Sequence, residues 1–383
     1  MRLDRSRLAV LDGLRLCAAL GVVGFHYTAF ESAVRAAWGV PGPEAFPGLN
    51  AVTSYGWLGV ELFFLISGFV ISMSCWGRDV DAFFRSRVAR LFPAYWAAVL
   101  LTFTVVTLFS TVYHRVSLTD LLLNLTMMQA PLGAAAVDGV YWTLWVEACF
   151  YFLFALVVWR GLTQRRVTVF CYLWLVAVVI ATPARQPLVT AIVQPAWAPY
   201  FIAGVALYLV HRFGSDLKLW GLVGVCFAMS ANQVHDLALR IGREDLHRPL
   251  SPVPAVLAVA VFYAVLSAVA LGRLSWIRWR WLTTAGLLTY PLYLIHELNG
   301  WVLIRALHGH FPRYVTLALV TATVLAGAWL VHHLIERPLA DLLRRRLTPP
   351  LPLLNQRRPP DPRNTKPQAT PTLTPSPKPS DPG

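Results

Sequence analysis

Charged side chains are scarce in this chain. Asp, Glu, Lys and Arg make up 14% of its 383 residues, whereas soluble domains carry about a quarter. Hydrophobic residues make up 57% and the mean hydropathy is +0.56. This composition excludes a soluble enzyme, and apolar runs along nearly the whole length exclude a soluble enzyme with one anchor. The sequence therefore predicts an all-α integral membrane protein in a lipid bilayer.

Cysteines are also few. The five (Cys17, Cys75, Cys149, Cys171 and Cys226) all fall within apolar segments and form no CxxC pair. This pattern argues against a disulfide framework and against a metal site. We expect these side chains to be small buried hydrophobic groups.

Acidic residues are outnumbered, with 19 Asp and Glu against 33 Lys and Arg, which gives a net charge of +14. The arginines cluster in short loops between apolar segments, as expected of loops held on the cytoplasmic side. No basic face alternates with stacking aromatic residues, so we expect no nucleic-acid binding.

Ten apolar segments have about the length that a bilayer core requires. They are residues 8–30, 52–75, 93–112, 142–159, 166–182, 189–210, 217–231, 253–271, 284–306 and 314–335. An eleventh segment, 118–131, is short and contains Asn124 and Gln129. If this segment lies at the interface, every basic cluster falls on one side of the membrane. The positive-inside rule therefore predicts ten transmembrane helices with both termini cytoplasmic.

The composition changes at Thr348, after which prolines recur among Thr, Ser, Asp and Arg. Such a segment cannot bury enough apolar surface to fold. We expect residues 1–347 to form the membrane domain and residues 348–383 to form a disordered cytoplasmic tail.

Two ionisable residues, Arg15 and His26, lie within the first predicted span. A charge at bilayer depth costs several kcal/mol and is kept mainly where it faces a cavity, a partner or a substrate. Eleven positions separate the two residues, so both project from nearly one helix face, roughly 16 Å apart. This geometry suits a cationic anchor at one depth and a proton-transfer group at another.

Further polar residues lie in other predicted spans. Glu147 lies near the start of the fourth span, at a predicted depth comparable with that of His26. A carboxylate beside an imidazole would hold its tautomer and raise its basicity, as a general base requires. The other candidates are Glu61, Ser67, Trp142, Tyr290 and His296 within spans, and Arg87 and Arg90 at the predicted cytoplasmic edge.

Six motifs in order resemble the type-3 family of membrane-bound acyltransferases, which includes O-antigen, Nod-factor and macrolide-sugar acyltransferases. The resemblance covers about residues 8–340. The motifs are Leu-Asp-Gly-Leu-Arg with His26 at an Arg-x10-His spacing, Phe-Phe-Leu-Ile-Ser-Gly-Phe, Arg-Val-Ala-Arg-Leu-Phe-Pro-Ala-Tyr, Trp-Thr-Leu-Trp-Val-Glu-x-x-Phe-Tyr, Tyr-Pro-Leu-Tyr-Leu-Ile-His and Glu-Arg-Pro.

The resemblance implies transfer of an acyl group, commonly acetyl from acyl-CoA, to a hydroxyl of a carbohydrate or glycosylated natural product. It implies a multi-pass protein of the bacterial inner or plasma membrane, with acyl-CoA as donor substrate and no resident cofactor. His26 and Glu147 are then expected to be catalytic, and Arg15, Arg87 and Arg90 to bind the donor. Glu61, Ser67, Trp142, Tyr290 and His296 are expected to line the site.

Other interpretations of the same residues stay open. A transporter or proton-coupled flippase for a lipid-linked sugar would also suit His, Arg and Glu within the membrane, although no inverted halves with paired broken helices are detectable. In these interpretations Arg15 only extends its charged end to the lipid headgroups, Glu147 only pairs with a neighbouring residue, and His296 only packs between helices. Arg87 and Arg90 would serve topology alone.

Overall fold

The computed structural model of the protein describes residues 5–109, 116–184 and 186–347. These ranges contain no β-strand and form seventeen α-helices. In chain order the helices are α1 (Arg5–Thr28), α2 (Glu31–Trp38), α3 (Gly42–Ala45), α4 (Leu49–Thr53), α5 (Gly59–Cys75), α6 (Val80–Phe109), α7 (Leu118–Asn124), α8 (Trp142–Trp159), α9 (Gln164–Ala184), α10 (Pro187–Val193), α11 (Ala198–Phe213), α12 (Leu217–Glu244), α13 (Pro252–Ala270), α14 (Arg280–Ile295), α15 (Glu297–Leu307), α16 (Arg313–Val331) and α17 (Arg337–Leu347). Short 3₁₀ helices cover Gly56–Leu58 and Gly139–Tyr141, and a π-helix covers His332–Glu336.

Nine helical segments within the described residues are long and apolar enough to cross a membrane. They are Ala9–Thr28, Leu49–Cys75, Val80–Phe109, Gly139–Trp159, Gln164–Ala184, Pro187–Phe213, Leu217–Glu244, Pro252–Ala270 and Arg313–Leu347. The predicted ninth span, 284–306, is instead divided between α14 and α15, which meet at His296. The prediction of an all-α multi-pass membrane protein is confirmed, while the cytoplasmic placement of the termini stays a prediction.

Two helices extend beyond the predicted spans. The third span was expected to begin at residue 93, but α6 begins at Val80, so Arg87 and Arg90 lie on the helix itself. The straight stems of arginine are compatible with a helix, and the charged heads face a cavity described below. Helix α12 likewise runs to Glu244, well beyond the predicted residue 231. Residues 110–112 of the third predicted span lie outside the described residues, as does the predicted tail, 348–383.

The short segment after α6 does not cross the membrane as a helix. Helix α7 has seven residues, which reach only about 10 Å. Ser117 and Asp120 cap it reciprocally: the Ser117 hydroxyl accepts from the Asp120 N–H, and the Asp120 carboxylate accepts from the Ser117 N–H. A capping box directly before an apolar run is a local start signal. This agrees with the interfacial placement predicted for 118–131.

Helix α11 lies at the centre of the protein, and all of residues 198–210 are buried. It packs most extensively against α5, where Gly68 and Gly204 face each other. A Cβ on either glycine would clash with backbone of the facing helix, at Phe201 and Leu65 respectively. Small residues that let two helix backbones approach closely are typical of membrane helix pairs. This contact fixes α5, which carries one wall of the cavity.

Candidate active site

A cavity of about 320 Å³ lies among α1, α5, α6, α8 and α14. Six of the ten residues singled out in the sequence line it: Arg15, Ser67, Arg87, Arg90, Glu147 and Tyr290. These residues come from all five helices, so the cavity forms only when the helices pack together. The structure thus brings together most of the polar residues that the sequence places within the membrane.

One end of the cavity is cationic. Three guanidinium groups, those of Arg15, Arg87 and Arg90, meet two carboxylates, those of Asp12 and Glu147. Arg15 Nη1 lies 3.9 Å from Asp12 Oδ1, a longer distance than a tight ion pair. The excess of guanidinium groups favours an anionic ligand, since charge-assisted hydrogen bonds from arginine are strong.

Within the described residues, Arg87 contacts neutral groups and forms no ion pair with a carboxylate. Its Nη2 donates to Ser74 Oγ at 3.3 Å, and its guanidinium lies 6.0 Å from the centroid of the Tyr151 ring. Its Nε also donates to Ser86 Oγ at 3.4 Å. A cation–π contact and two neutral acceptors leave most of its five N–H donors available to a ligand.

Glu147 lies in this cavity and not beside His26. Ser67 Oγ donates to Glu147 Oε1 at 3.0 Å, which joins α5 to α8. The expectation that Glu147 orients the imidazole of His26 therefore differs from the observed contacts. Glu147 and His26 have similar predicted depths in the membrane, but their side chains do not face each other. A role for Glu147 within the cavity stays a prediction.

His26 lies in the last turn of α1 and contacts the junction between α14 and α15. Its Nδ1 is 2.9 Å from His296 Nε2, and His296 Nδ1 is 2.8 Å from the carbonyl oxygen of Tyr293. A carbonyl oxygen only accepts, so His296 carries its proton on Nδ1 and accepts at Nε2. His26 must then donate from Nδ1. The lone pair of neutral His26 is therefore on Nε2, the atom available to act as a base.

The carboxylate beside His26 is that of Glu297. Its Oε1 lies 3.7 Å from His26 Nε2, and the His26 side chain is 14% exposed. The Val140 N–H donates to Glu297 Oε2 at 3.0 Å. Glu297 is not among the residues predicted from the sequence. It directly follows His296 in the Tyr-Pro-Leu-Tyr-Leu-Ile-His-Glu segment, so its position was a signal for it.

Tyr293 connects the cavity to the histidines. It lines the cavity, and its ring centroid is 5.7 Å from that of His296. Phe63 packs against the same ring at 5.7 Å, edge to face. His26 itself is not among the residues that line the cavity. The cavity thus ends at Tyr293, next to the histidine that holds His26.

Two residues expected to line the site lie elsewhere. Glu61 is 1% exposed, and its Oε2 has no hydrogen-bond partner in the part of the chain that the structure describes. Trp142 is 39% exposed and packs against Phe64 and Trp197. On α5 the cavity face is formed by positions 60, 63, 64, 67, 70 and 71, a helical spacing that turns position 61 away.

His296 is fully buried and contacts His26, and it too does not line the cavity. Within residues 5–109, 116–184 and 186–347, no group of three or more His, Cys, Asp or Glu side chains is arranged to hold a metal ion.

The chain is similar to known proteins along most of its length. The family model Acyl_transf_3, described as "Acyltransferase domain", matches residues 8–333. "Acyltransferase MdmB" of Streptomyces mycarofaciens is 27% identical over 384 residues, covering 89% of this chain and 93% of that protein. "Putative acetyltransferase ORF330" of Acidianus two-tailed virus is 25% identical over 171 residues, covering 43% and 50% respectively. No solved structure gives a significant match.

Proposed function

Since the chain belongs to the Acyl_transf_3 family of acyltransferases, it is a membrane O-acyltransferase, and we propose that it moves an acyl group, acetyl in the simplest case, from acyl-CoA to a hydroxyl of a carbohydrate or glycosylated acceptor. The observation that carries this proposal is the position of His26, whose neighbour His296 adjoins a cavity that holds three arginines. We place the enzyme in a bacterial plasma membrane with both termini in the cytoplasm.

The arginine end of the cavity would bind the phosphates of coenzyme A. Arg87 and Arg90 follow the first turns of α6, at the predicted cytoplasmic edge, and Arg15 faces them across the cavity. Several arginine–phosphate contacts would each add charge-assisted hydrogen bonding. The cavity is smaller than a whole coenzyme A, so the adenosine would remain outside it.

The spacing along α1 matches the length of the donor arm. About thirteen bonds separate the phosphate from the sulfur of the phosphopantetheine arm, which spans roughly 15 Å when extended. Arg15 and His26 are separated by about 16 Å along the same helix. A phosphate held at Arg15 would therefore bring the thioester to the depth of His26, past the contact between Phe63 and Tyr293.

In the reaction, His26 Nε2 would take the proton from the acceptor hydroxyl as its oxygen attacks the thioester carbonyl carbon. The carbon–oxygen bond forms and the carbon–sulfur bond breaks. The proton on Nε2 then passes to the leaving thiolate, which gives free coenzyme A and the acyl ester. The contact with His296 keeps the lone pair of His26 on Nε2 throughout the approach of the acceptor.

A transporter would share one feature, because the α14–α15 junction interrupts a span at His296, and broken helices are common in transporters. Acetyl-CoA labelled in the acetyl group distinguishes the two. Membranes containing the protein should transfer label into alkali-labile esters and release the thiol of coenzyme A, and membranes lacking it should not. Movement of a lipid-linked sugar without consumption of acetyl-CoA would refute the proposal.

A further inference from the structure

A second carboxyl group lies behind Glu297. Asp138, in the loop before α8, is fully buried and in hydrogen-bonding contact with the Glu297 carboxyl group. Two carboxyl groups can form such a bond only if one of them carries a proton. The pair, Asp138 with Glu297, is therefore expected to hold one proton and one negative charge.

The backbone decides where that charge rests. Asp138 accepts from the N–H groups of Val140, at 3.3 Å, and of Leu298, at 3.4 Å. Glu297 accepts from the Val140 N–H alone, at 3.0 Å. N–H donors favour the ionised form of a carboxyl group, so the charge rests mainly on Asp138 while His26 is neutral. Both carboxyl groups are buried, and the charge already on the pair opposes loss of the remaining proton, because like charges disfavour a second ionisation.

Protonation of His26 changes this balance. A positive charge on its Nε2 would lie 3.7 Å from Glu297 Oε1, and Coulomb attraction in a poorly solvated site is strong at that distance. On the basis of the function proposed above, we propose that the Asp138–Glu297 pair is a movable countercharge for His26. When His26 becomes an imidazolium, the shared proton shifts from Glu297 to Asp138 and the negative charge moves next to the ring.

Glu297 and Asp138 are thus positioning residues that act through His26. Other titratable groups near the pair are His296, whose ring contacts His26, and the phenols of Tyr27 and Tyr293. On neighbouring helices, Glu31 of α2 is paired with Arg35, and Glu61 is buried on α5. None of these groups is replaced in the variants below, so a change in the pKa of His26 reports on the Asp138–Glu297 pair.

Two isosteric variants give opposite expectations. Glu297→Gln leaves the charge on the more distant Asp138 and should lower the pKa of His26. Asp138→Asn fixes a full negative charge on Glu297 and should raise the pKa of His26. An opposite charge within about 4–6 Å shifts a pKa by 1–3 units, so we expect shifts of about one pH unit in opposite directions. Loss of packing alone would not produce opposite shifts.

The titration of His26 can be followed without acyl transfer. Diethyl pyrocarbonate reacts with the neutral form of imidazole and not with the protonated form. Mass spectrometry of the full-length protein in detergent gives the extent of modification at His26 against pH. The acid limb of the kcat profile should shift in parallel. If one variant does not fold, as judged by its melting temperature, the direction in which the pKa of His26 shifts in the other variant tests the proposal.

Shifts in the same direction, or none in either variant, would overturn the countercharge. If the modification profiles move in opposite directions but His26→Ala keeps its transferase activity, the countercharge stands and the proposed catalytic role of His26 fails. If His26→Ala is inactive and the profiles do not move, only the countercharge fails.

Discussion

His26 Nδ1 and His296 Nε2 lie 2.9 Å apart, although the two residues are 270 positions apart in the chain. Further bonds hold the same junction: Tyr27 Oη donates to the His296 carbonyl at 2.8 Å, and Trp301 Nε1 donates to the His26 carbonyl at 2.9 Å. The contact with His296, which only the tertiary fold provides, therefore helps to set which nitrogen of His26 carries its proton.

Replacing His296 tests that relationship. His296→Ala removes the acceptor for His26 Nδ1–H, so the ring should lose its fixed tautomer and kcat should fall about tenfold, less than the 10²–10⁴-fold typical of losing a base. The KM for acyl-CoA should not change, because His296 does not touch the cavity. His296→Gln offers an amide oxygen in place of Nε2 and should restore part of kcat.

His235→Ala is the matched control, since His235 is exposed and contacts Asp236 on α12. It should leave both kinetic constants unchanged. An equal loss of kcat in His296→Ala and His296→Gln, together with a lower melting temperature in both, would indicate that His296 only supports packing.

His26→Ala should reduce acyl transfer about 10²–10⁴-fold, the range that a general base contributes. The protein should still insert into membranes, because the side chain is small and at the end of α1. Label transfer from acetyl-CoA measures the loss, and elution as a single species in detergent checks folding. Turnover above about a tenth of the wild-type rate would exclude His26 as the general base.

The sequence was sufficient to predict the features that depend only on how deep a residue lies in the membrane. Apolar length and arginine clusters located the spans, and the buried Arg15 and His26 pointed to a site. The Arg-x10-His spacing and the Arg-x-x-Arg motif selected three arginines that do meet in one cavity. Each of these inferences needs only the position of a residue along its own helix.

The remaining parts depend on how helices rotate against each other, which depth does not reveal. Glu147 and Glu297 both lie in predicted spans, but only Glu297 faces His26. Glu61 is adjacent to the cavity-lining Val60, yet it points away. The interruption at His296 was also missed. Pro291 lies five residues before it, but no glycine or proline stands at the position itself, where φ −76° and ψ −37° stay helical.

Gly204→Ala should destabilise the protein, because the new methyl group would meet the Leu65 carbonyl oxygen and the backbone of Phe69 and Gly68 on α5. Overpacking of this kind typically costs 1–3 kcal/mol. Gly221→Ala on α12 is the control, since a Cβ there meets nothing within 4 Å, and alanine favours a helix. Melting temperatures in one detergent should fall for the first variant and hold or rise for the second. Equal melting temperatures would contradict the close packing of α5 on α11.

Removing residues 349–383 should not change acyl transfer in membranes. The prediction comes from the sequence, because a Pro-rich segment without apolar surface contributes nothing to a site within the membrane. Label transfer by the truncated protein, normalised to its amount in the membrane, measures the effect. Normal insertion with loss of transfer would reveal a role for the tail.

Changing Arg87 and Arg90 together to alanine should weaken the use of acyl-CoA far more than the use of a short acyl thioester that lacks the nucleotide. Lost phosphate contacts should raise the KM for acyl-CoA with little effect on kcat, which is the signature of lost ground-state binding. Each charge-assisted hydrogen bond contributes about 1.5–3 kcal/mol, so a rise of at least tenfold is expected. Steady-state kinetics with both donors measures the difference.

Arg85→Ala is the matched control for this pair of changes. Arg85 lies on the same helix and forms an ion pair with Asp81, but it does not line the cavity. Its loss removes one positive charge from the same membrane edge, against two in the double change, so part of any effect on topology should appear in this variant as well. If Arg85→Ala raises the KM for acyl-CoA as much as the double change does, these arginines act through topology or overall charge. If the double change weakens the use of acyl-CoA and of the short acyl thioester equally, the phosphate site lies elsewhere. A group that binds only the nucleotide cannot affect a donor that lacks it.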